Sequence, residues 1–594
     1  MHPDHTKLLR KAQALDQAQK TMEASLTYQK FLALEPRHAE AWSNLSGKLL
    51  VLGDPQGAQT AARAALDLAP QTLAARINLG RALMQLNRIQ EAEDHFTTAM
   101  KQDKGRLDSP MFLAECRLHQ QDLRGAHQAL ATATSLAARP GRSEALVAHL
   151  AELWAIFSMG MSQEHRPEEA EAACATALRL NGRNFSAKFS LGMIQMTRGH
   201  LETAKERFRQ LAKTHPHKVE VRLQLIACLA RQGDFLAVGE EIAKLVHEKP
   251  RDLIVYRGVL EILYAHGRWS DLAAEIARYR LMDPTSIHPD LNQAFVDLLF
   301  GEFRLGWERH EARLRLPTEE WLPHRSFSQP TWAGEPFLGK TLLVWAEQGF
   351  GDTLMFLRYL PQVKALGGRV LVEVQAPLVG VAATCPGFDA LVTREGGAPP
   401  FDLQVSLQSL PWLFRTELAS IPGEIPYLQV PSEVPRKREI LEQLALAEDK
   451  VRIGLVWAGS PLHSRDAERS LKADLLAPLE ALPGVVWYSL QARREELPPL
   501  RNLVSLSPYL SSFSDTAYAL SGLDLLITVD TAVVHLAGAL GIPTLLLLTY
   551  QPDYRWLLDR EDSPWYPTLH LYRQPAYGDW EAVIRRVVED LTQG

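Results

Sequence analysis

Apolar and small residues in the first half of the chain recur at helical spacing, and the pattern repeats every 34 positions. Four ladders keep this period: Leu45, Leu79 and Leu113; Ala58, Ala92 and Ala126; Gly199, Gly233, Gly267 and Gly301; Pro216, Pro250 and Pro284. Glycine adopts positive φ at the end of a first helix, and proline cannot continue a second one. The period therefore predicts about eight helix pairs between residues 5 and 312, with an insertion around 138–143.

Two segments resemble the start of the tetratricopeptide repeat, W-x-x-L-G. They are Trp42–Leu45 (WSNL) and Asn78–Gly80 (NLG). The resemblance implies a solenoid of paired α-helices with a long concave groove. We expect the groove to bind an extended polypeptide, because such repeats have no chemistry of their own. A spacer or a self-assembly surface is the alternative.

From Lys340 the pattern changes to short apolar runs that alternate with amphipathic segments, which is typical of parallel α/β units. The predicted strands are Thr341–Trp345, Arg369–Val374, Ala390–Val392, Asp402–Val405, Arg452–Trp457, Val485–Leu490, Leu523–Val529 and Thr544–Leu548. The predicted helices are Thr353–Leu366, Pro377–Cys385, Ala473–Ala481, Ser514–Ser521, Thr531–Leu540 and Asp579–Leu591.

A proline-rich polar stretch, Ile421–Arg436, divides this second part into two doubly wound halves with a cleft between them. The predicted domains are a repeat array (1–312), a linker (313–337), a first Rossmann-like half on the acceptor side (338–435) and a second half on the nucleotide-sugar side with a closing helix (436–594). Ligands bind outside the carboxyl ends of parallel strands. That rule selects three loops: Glu347–Asp352, Ala458–Lys472 and Asp530–His535.

Four segments resemble bacterial tetratricopeptide-repeat glycosyltransferases: 301–312, 333–360, 453–472 and 524–543. The most specific motifs are Gly349–Asp352 (GFGD) and Asp530–Pro543 (DTxxxHxxGxxGxP). The catalytic part is similar to the heptosyltransferase family, and the arrangement resembles the protein O-linked N-acetylglucosamine transferases. This resemblance covers essentially the whole chain. It implies a helical tetratricopeptide solenoid followed by an α/β GT-B module of two Rossmann-like halves.

The first motif contains the candidate general base. The resemblance assigns to Asp352 the deprotonation of the acceptor hydroxyl, and its position also suits a helix N-cap. Gly349 and Gly351 allow close approach of the backbone to a ligand, and the following helix presents free N–H groups. As a dinucleotide fingerprint the turn is weak, because a third glycine is missing at the required spacing.

The second motif contains candidate donor-binding residues: Asp530, Thr531, Ala532 and His535. Thr531 and His535 are four positions apart, so we expect them on one helix face that points to the cleft. A phosphate at this N-terminus would accept backbone N–H bonds. Heptosyltransferases usually have glycine in place of Ala532, which argues against an ADP-heptose donor. A structural histidine and a helix cap are the alternatives for His535 and Asp530.

The remaining donor-binding candidates are Gly459, Ser460, Arg469, Ser470, Lys472 and Gln491. The cations of this loop, Arg465 among them, would neutralise a leaving nucleotide, and GT-B enzymes typically work without a bound metal. An ordinary solvated loop is the alternative. Gln491 follows a predicted strand and is expected to contact the base or ribose. No DxD motif ends a strand, so we expect no metal and no cofactor besides the nucleotide-sugar substrate.

Composition removes several classes. The net charge of −6, from 64 basic and 70 acidic residues, argues against a general nucleic-acid binder. Four widely spaced cysteines without a CxxC argue against a disulfide framework or a cysteine metal site. The most apolar stretch, Leu523–Tyr550, contains Asp524 and His535 and is broken by Gly541–Pro543, so no membrane span is expected. The amino terminus has no apolar signal region, and a cytoplasmic location is predicted.

The leading hypothesis is a protein O-glycosyltransferase that modifies Ser or Thr of a polypeptide bound by the repeats. The resemblance to flagellin glycosyltransferases suggests a CMP-nonulosonic acid as donor and flagellin as acceptor. A non-catalytic adaptor or chaperone with a degenerate transferase domain is the first alternative. The second is a heptosyltransferase of a surface polysaccharide, which the absence of a basic amphipathic membrane helix disfavours.

Overall fold

A computed structural model of the chain describes residues 2–164, 166–316, 325, 327–347, 349–445, 450–460, 466–492 and 496–593. Arg465 lies outside the described residues, and so do residues 317–324 and 326 of the predicted linker. The chain forms two compact units, Met1–Glu241 and Ile242–Gly594. The predicted domain boundaries at 312, 337 and 435 remain predictions.

Helix pairs fill the first part of the chain. The helices are α1 (Pro3–Gln17), α2 (Thr21–Leu34), α3 (Ala39–Val51), α4 (Pro55–Leu68), α5 (Leu73–Gln85), α6 (Ile89–Gln102), α7 (Asp108–His119), α8 (Leu123–Ala137), α9 (Glu144–Gln163), α10 (Pro167–Leu180), α11 (Phe185–Thr197), α12 (Leu201–Thr214), α13 (Val219–Arg231), α14 (Phe235–Glu248), α15 (Leu253–Ala265), α16 (Trp269–Met282), α17 (His288–Leu299) and α18 (Phe303–His310). These eighteen described helices make nine pairs, one more than the sequence period suggests.

The ladders of the sequence have clear structural causes. Gly199 and Gly233 end first helices at φ 80° and 75°, where a side chain would be strained. Ala58 and Ala92 are fully buried, so that neighbouring helices approach closely. A Cβ at Gly80 would lie 2.7 Å from the ring of Phe96, which explains the small residue at that repeat position.

One helix of the array is long and apolar enough to cross a membrane by length and composition. It is α9, with 20 residues, and 44% of its most apolar window is buried. Within the array it packs against α8 and α10. A core helix of a folded array passes the same test, so α9 is weak evidence for a membrane span. The cytoplasmic location stays a prediction.

The second part of the chain contains two parallel sheets. The strands are β1 (Thr341–Trp345), β2 (Arg369–Val374), β3 (Ala390–Thr393), β4 (Leu403–Ser406), β5 (Val451–Val456), β6 (Val485–Ser489), β7 (Leu503–Ser505), β8 (Leu525–Val529), β9 (Thr544–Leu548) and β10 (Leu569–Arg573). The first sheet has the order β3-β2-β1-β4 and the second β10-β9-β8-β5-β6-β7. The described pairings between these ten strands are parallel. The predicted fold class, a helical repeat array followed by an α/β module of two parallel halves, is confirmed.

Helices connect these strands. They are α19 (Phe350–Phe356), α20 (Leu360–Ala365), α21 (Val379–Ala382), α22 (Leu410–Leu413), α23 (Lys437–Leu444), α24 (Asp466–Arg469), α25 (Phe513–Ser521), α26 (Ala532–Leu540) and α27 (Trp580–Gln593). The short helices α22, α23 and α24 were not predicted, and two predicted helices differ in kind. The segment 353–366 is divided into α19 and α20 by a 3₁₀ turn, and Ala473–Ala481 is a 3₁₀ helix with Pro478 inside it. A proline in a helix interior removes one α-helical hydrogen bond.

The last repeat helices share a hydrophobic core with the α/β module. Phe303 and Trp307 of α18 are almost fully buried in the same cluster as Phe356 and Trp565. The rings of Phe303 and Trp565 stack with centroids 5.9 Å apart. The repeats from α15 onward therefore belong to the compact unit that contains both sheets.

Candidate functional site

The site is built where α19 of the first half packs against α26 of the second half. Each helix begins directly after the carboxyl end of a central strand, α19 after β1 and α26 after β8. A Cβ at Gly351 would lie 2.6 Å from Cδ2 of His535, so glycine is needed for this approach. The sequence predicted that Gly351 allows close approach of a ligand; in the structure the close neighbour is the histidine ring.

Asp352 lies in the first turn of α19 and forms an ion pair with Arg555, which follows β9 in the other half. The second amino group of Arg555 donates to Asp553, 2.5 Å away. The sequence analysis did not single out Arg555 or Asp553, because they belong to no recognisable motif. The carboxylate of Asp352 also lies against its own N-cap, since a Cβ at Gly349 would be 2.4 Å from Oδ2.

Burial raises the pKa of Asp352, and the neighbouring Asp553 and Glu347 act in the same direction, whereas Arg555 opposes them. The pKa of Arg555 is raised well above its ordinary value, because its carboxylate neighbours outweigh the effect of burial. The pair therefore consists of a carboxylate in an unfavourable environment and the guanidinium that keeps it charged. Asp352 can accept a proton only at the expense of this pair.

Asp530 follows β8 and is partly buried beside the same charges. Burial and the nearby Asp553 raise its pKa to about 6, although Arg469 and Arg555 lower it. This carboxyl can therefore exchange a proton near neutral pH. The structure brings Asp530 and Asp352 close to the same arginine, Arg555.

His535 is buried in the second half, with only 5% of its surface exposed. Its Nδ1 lies 3.0 Å from the hydroxyl of Tyr566, and its ring stacks on Trp556 with centroids 5.4 Å apart. Burial and the neighbouring Arg555 and Arg358 hold its pKa well below the usual range, so the imidazole is neutral. These contacts are those of the structural histidine considered as the alternative.

Thr531 is the N-cap of α26. Its hydroxyl accepts a hydrogen bond from the N–H of Val533, 3.3 Å away. Ala532 opens the helix and is partly exposed. The cap uses one of the N–H groups that a phosphate would need, so binding of a phosphate to α26 stays a prediction.

The loop after β5 is held by Asp466 and Ser470. The hydroxyl of Ser470 donates to Asp466 at 2.9 Å and accepts from the N–H of Gly459 at 3.0 Å. Arg469 lies 3.5 Å from Asp466, and a Cβ at Gly459 would be 2.7 Å from its guanidinium. Ser460 and Lys472 are exposed. Arg469 also lies close enough to Asp530 to lower its pKa. Among the described residues, no contact links Lys472 to Asp530 or Arg555.

Gln491 follows β6 and is buried. Its Oε1 accepts from the N–H groups of Trp457 and Ala458 at 3.1 and 2.9 Å, and its Nε2 donates to the carbonyl of Ala458 at 3.0 Å. This side chain closes the backbone at the end of β5. Contact between Gln491 and a base or ribose remains a prediction, since these backbone groups already engage its amide.

A buried ion pair supports the site from the repeat side. Arg313, fully buried after α18, donates to Glu347 at the end of β1 with N–O distances of 3.0 and 2.7 Å. Arg313 also donates to Glu311, 2.5 Å away, and Ser406 donates to Glu347. Glu347 was predicted as part of the cleft loop, but its partner was not, because the two are 34 residues apart without a motif.

The turn that contains Arg555 rests on the last repeats. Tyr554 stacks on Phe295 of α17 with centroids 5.8 Å apart, and its ring lies 4.4 Å below the guanidinium of Arg555. Nearby, the hydroxyl of Tyr264 in α15 lies 3.4 Å from the carbonyl of Pro552. Helices α15 and α17 therefore pack against the turn that contains Arg555.

The described residues contain no group of three or more His, Cys, Asp or Glu side chains suited to a metal ion. The cluster of Asp352, Asp530, Asp553, Arg469 and Arg555 is instead a mixed set of carboxylates and guanidiniums. Such a set can bind anions through the guanidiniums and exchange protons through the carboxylates. It lies at the carboxyl ends of parallel strands, where ligands of doubly wound sheets bind.

Comparison with known proteins gives a partial match. The tetratricopeptide repeat family matches residues 48–106. The chain is similar to Protein FlbA of Caulobacter vibrioides, with 28% identity over 327 residues, which cover 50% of this chain and 54% of that protein. The chain thus matches about half the length of this curated relative.

Two solved structures match part of the chain. One is PilF of Pseudomonas aeruginosa, 16% identical, which covers 38% of this chain and 95% of its own at a TM-score of 0.31. Another is YrrB, described as a tetratricopeptide-repeat protein with an unusual peptide-binding site, 16% identical, with 34% of this chain and 97% of its own covered at a TM-score of 0.28. Likeness at these scores assigns no function to this chain.

Proposed function

We propose that this protein is a glycosyltransferase that transfers a sugar from a nucleotide-sugar to a Ser or Thr hydroxyl of a polypeptide bound by the repeats. The contact between α19 and α26 is the observation that carries the proposal. It joins the carboxyl ends of two parallel sheets, and a carboxylate from one half meets a guanidinium from the other. A cleft between such halves is where an acceptor and a nucleotide can meet.

In this proposal Asp352 is the general base. It would take the proton of the acceptor hydroxyl while the oxygen attacks the anomeric carbon and the nucleotide leaves. Arg469 and Arg555 would compensate the charge that develops on the leaving nucleotide. Asp352 belongs to the same half as the acceptor side, and Arg555 to the half assigned to the donor.

The donor and acceptor are proposed from the family resemblance. A CMP-nonulosonic acid has one phosphate and one sugar carboxylate, and both groups are anions that arginine binds through paired N–H bonds. Flagellin is the proposed acceptor, and the repeats are the proposed binding surface for it. The proposed location is the cytoplasm, where nucleotide-sugars are made.

A non-catalytic adaptor is the second candidate, and three contacts favour it. Asp352 is engaged by Arg555, His535 by Tyr566, and Gln491 by the backbone of Ala458. Each contact satisfies a predicted functional side chain within the protein itself. In an adaptor these residues would serve only to hold the two halves together.

Nucleotide binding separates the two candidates. We expect one of CMP, UDP, GDP and ADP to raise the melting temperature of the full chain, because a ligand at 100 times its Kd adds about 2.7 kcal/mol to the free energy of unfolding. Asp352→Asn should keep or enlarge this shift and lose sugar transfer by about 10²–10⁴-fold, because the amide cannot accept the proton of the acceptor hydroxyl.

Asp297→Asn is the matched control. Asp297 is also a partly buried aspartate paired with an arginine, Arg309, and it lies on α17 rather than at the cleft. Its variant should keep both nucleotide binding and transfer. The transferase proposal fails if none of the four nucleotides shifts the melting temperature, and the assignment of the base fails if Asp352→Asn retains full transfer.

A further inference from the structure

We propose that Arg555 exchanges partners during the reaction. In the free cleft it holds Asp352, and when the donor enters it binds an anionic group of the donor and releases Asp352 as a base. The anionic group is a phosphate of the nucleotide or the carboxylate of the sugar. This inference rests on the proposed transferase function and adds to it the residue that recognises the donor's charge.

Contacts within its own turn hold the guanidinium of Arg555 in place. Asp553 binds both the backbone N–H of Arg555, at 3.1 Å, and its Nη1, at 2.5 Å, so it anchors the residue from within the same turn. Tyr554 covers one face of the guanidinium. Among the described residues, the bond from Nη2 to Asp352 is the hydrogen bond by which Arg555 reaches the other half of the module. Loss of that one bond would leave Arg555 anchored in place with its outer edge available.

The guanidinium of Arg555 has one N–H group that can form a further hydrogen bond. The Nε of Arg555 is buried without a hydrogen-bond partner among the described residues. An unpartnered donor on a buried guanidinium is costly, and a second oxygen beside the one that Nη2 binds would satisfy it. A phosphate or carboxylate offers two oxygens at the spacing of an arginine edge. Asp352 engages Nη2 only.

The charged groups around Arg555 can compensate the charge of an arriving anion. Three carboxylates, Asp352, Asp530 and Asp553, lie around Arg555, and Arg469 is a second cation close to Asp530. An arriving anion adds a further negative charge, which a proton on Asp530 would compensate, since the pKa of Asp530 is raised to about 6. Loss of the bond to Arg555 raises the pKa of Asp352, so the carboxylate accepts a proton from the acceptor hydroxyl more readily.

The test is calorimetric titration of the full chain with CMP, UDP, GDP and ADP, each beside its nucleoside, and with N-acetylneuraminate as a carboxylate probe. Arg555→Gln should weaken binding of the anionic probe by about tenfold or more and leave nucleoside binding unchanged. Asp352→Asn should strengthen the same binding several-fold, because the internal competitor for Arg555 is removed. A purely structural pair would not strengthen binding when it is broken.

Arg586→Gln is the matched control. Arg586 also pairs with two carboxylates, Glu561 and Asp590, and lies over a tyrosine ring, but it belongs to the closing helix α27. Its variant should bind every probe like the wild type. If Arg555→Gln is poorly folded, Arg555→Lys replaces it in the test. Lysine keeps the positive charge but lacks the planar pair of N–H groups, so this variant should bind the anionic probe with intermediate affinity.

The outcomes separate the two proposals. Loss of nucleotide binding alone identifies the phosphate as the partner of Arg555, and loss of N-acetylneuraminate binding alone identifies the carboxylate. If Arg555→Gln binds all probes like the wild type, or Asp352→Asn fails to strengthen binding, partner exchange is overturned and the transferase proposal stands. If the wild type binds none of the probes, both are overturned.

Discussion

At the scale of single residues, the site is a balance between burial and charge. Asp352, Asp530 and Asp553 lie around Arg555, and burial together with the neighbouring Asp553 raises the pKa of both Asp352 and Asp530. A chain selected only for stability gains little from such a cluster, because buried charges repay their desolvation poorly. Perturbed carboxyls in a cleft are typical of functional sites, and this favours the transferase over the adaptor.

The raised pKa of Asp530 predicts a pH-dependent stability. The folded chain holds this proton up to about pH 6, whereas an unfolded aspartate releases it near its ordinary value of about 3.9. Because the folded state binds more protons between these values, the free energy of unfolding falls as the pH rises through that window. Asp530→Asn should therefore be more stable than the wild type at pH 7–8, by roughly 1–3 kcal/mol.

The measurement is urea unfolding of both proteins from pH 4 to pH 8. The difference between variant and wild type should shrink toward pH 4, where both proteins have an uncharged side chain at this position. A difference that stays constant over the whole range would show that Asp530 is ionised throughout and that its environment is more polar than the contacts indicate.

At the scale of elements, the packing of α19 on α26 decides the geometry of the cleft. His535 forms the contact surface, and its ring has no room to withdraw, because Tyr566 holds it on one side and Trp556 on the other. The glycine of the first motif is therefore required by a helix–helix contact. A role of this glycine in ligand binding stays a prediction.

Gly351→Ala should destabilise the protein by about 1–3 kcal/mol, because the added Cβ would lie 2.6 Å from the ring of His535. Gly239→Ala is the control, since Gly239 is also inside a helix but has no atom within 4 Å of an added Cβ. That variant should gain about 0.5–1 kcal/mol from helix propensity. Thermal unfolding without any ligand measures both effects; equal melting temperatures for the two variants would contradict the contact.

Sequence patterns predicted most elements of the α/β part, and the reasons for the misses are physical. The central strands β1, β2 and β9 were predicted with their observed ends, because buried parallel strands are continuous apolar runs. The edge strands β7 and β10 were missed. β7 has only three residues, and β10 alternates polar with apolar positions, so neither gives a strong apolar signal.

The candidate site was predicted less completely than the fold. Asp352 and Asp530 were found because they belong to recognisable motifs in loops that follow apolar strands. Arg555 was missed because it lies in a short 3₁₀ turn outside any motif, and its partner Asp352 is near it only after folding. His535 was predicted from the second motif and Gln491 from its position after a strand. Neither signal could reveal that Tyr566 and Ala458 already bind these side chains.

At the scale of the whole molecule, the last repeats are part of the α/β core. Arg313 and Glu347 form a buried pair, and Trp307 packs among Phe356, Tyr554 and Trp565. Both contacts connect repeat residues with the beginning of the cleft. The helices α15–α18 are therefore needed for the module to bury its own aromatic residues.

This predicts a difference between two fragments. A fragment of residues 235–594, which keeps α14 whole, should be soluble and melt cooperatively. A fragment of residues 338–594 should aggregate or bind a hydrophobic dye, because Trp565 loses the partner rings of α18 and Glu347 loses Arg313. Size-exclusion chromatography and calorimetry compare them. A soluble, cooperatively melting short fragment would show that the α/β module is independent of the repeats.

The shared core also sets a rule for how the array can lengthen. A duplicated 34-residue unit among the early repeats would only extend a series of like neighbours. The same duplication between α16 and α17 would separate Tyr264 from Phe295, which touch one continuous turn, Pro552–Tyr554. Gain and loss of repeats, by gene duplication or by an engineer, is thus open at the amino-terminal end and closed near the cleft. The length of the array can therefore change while its junction with the turn that contains Arg555 stays fixed.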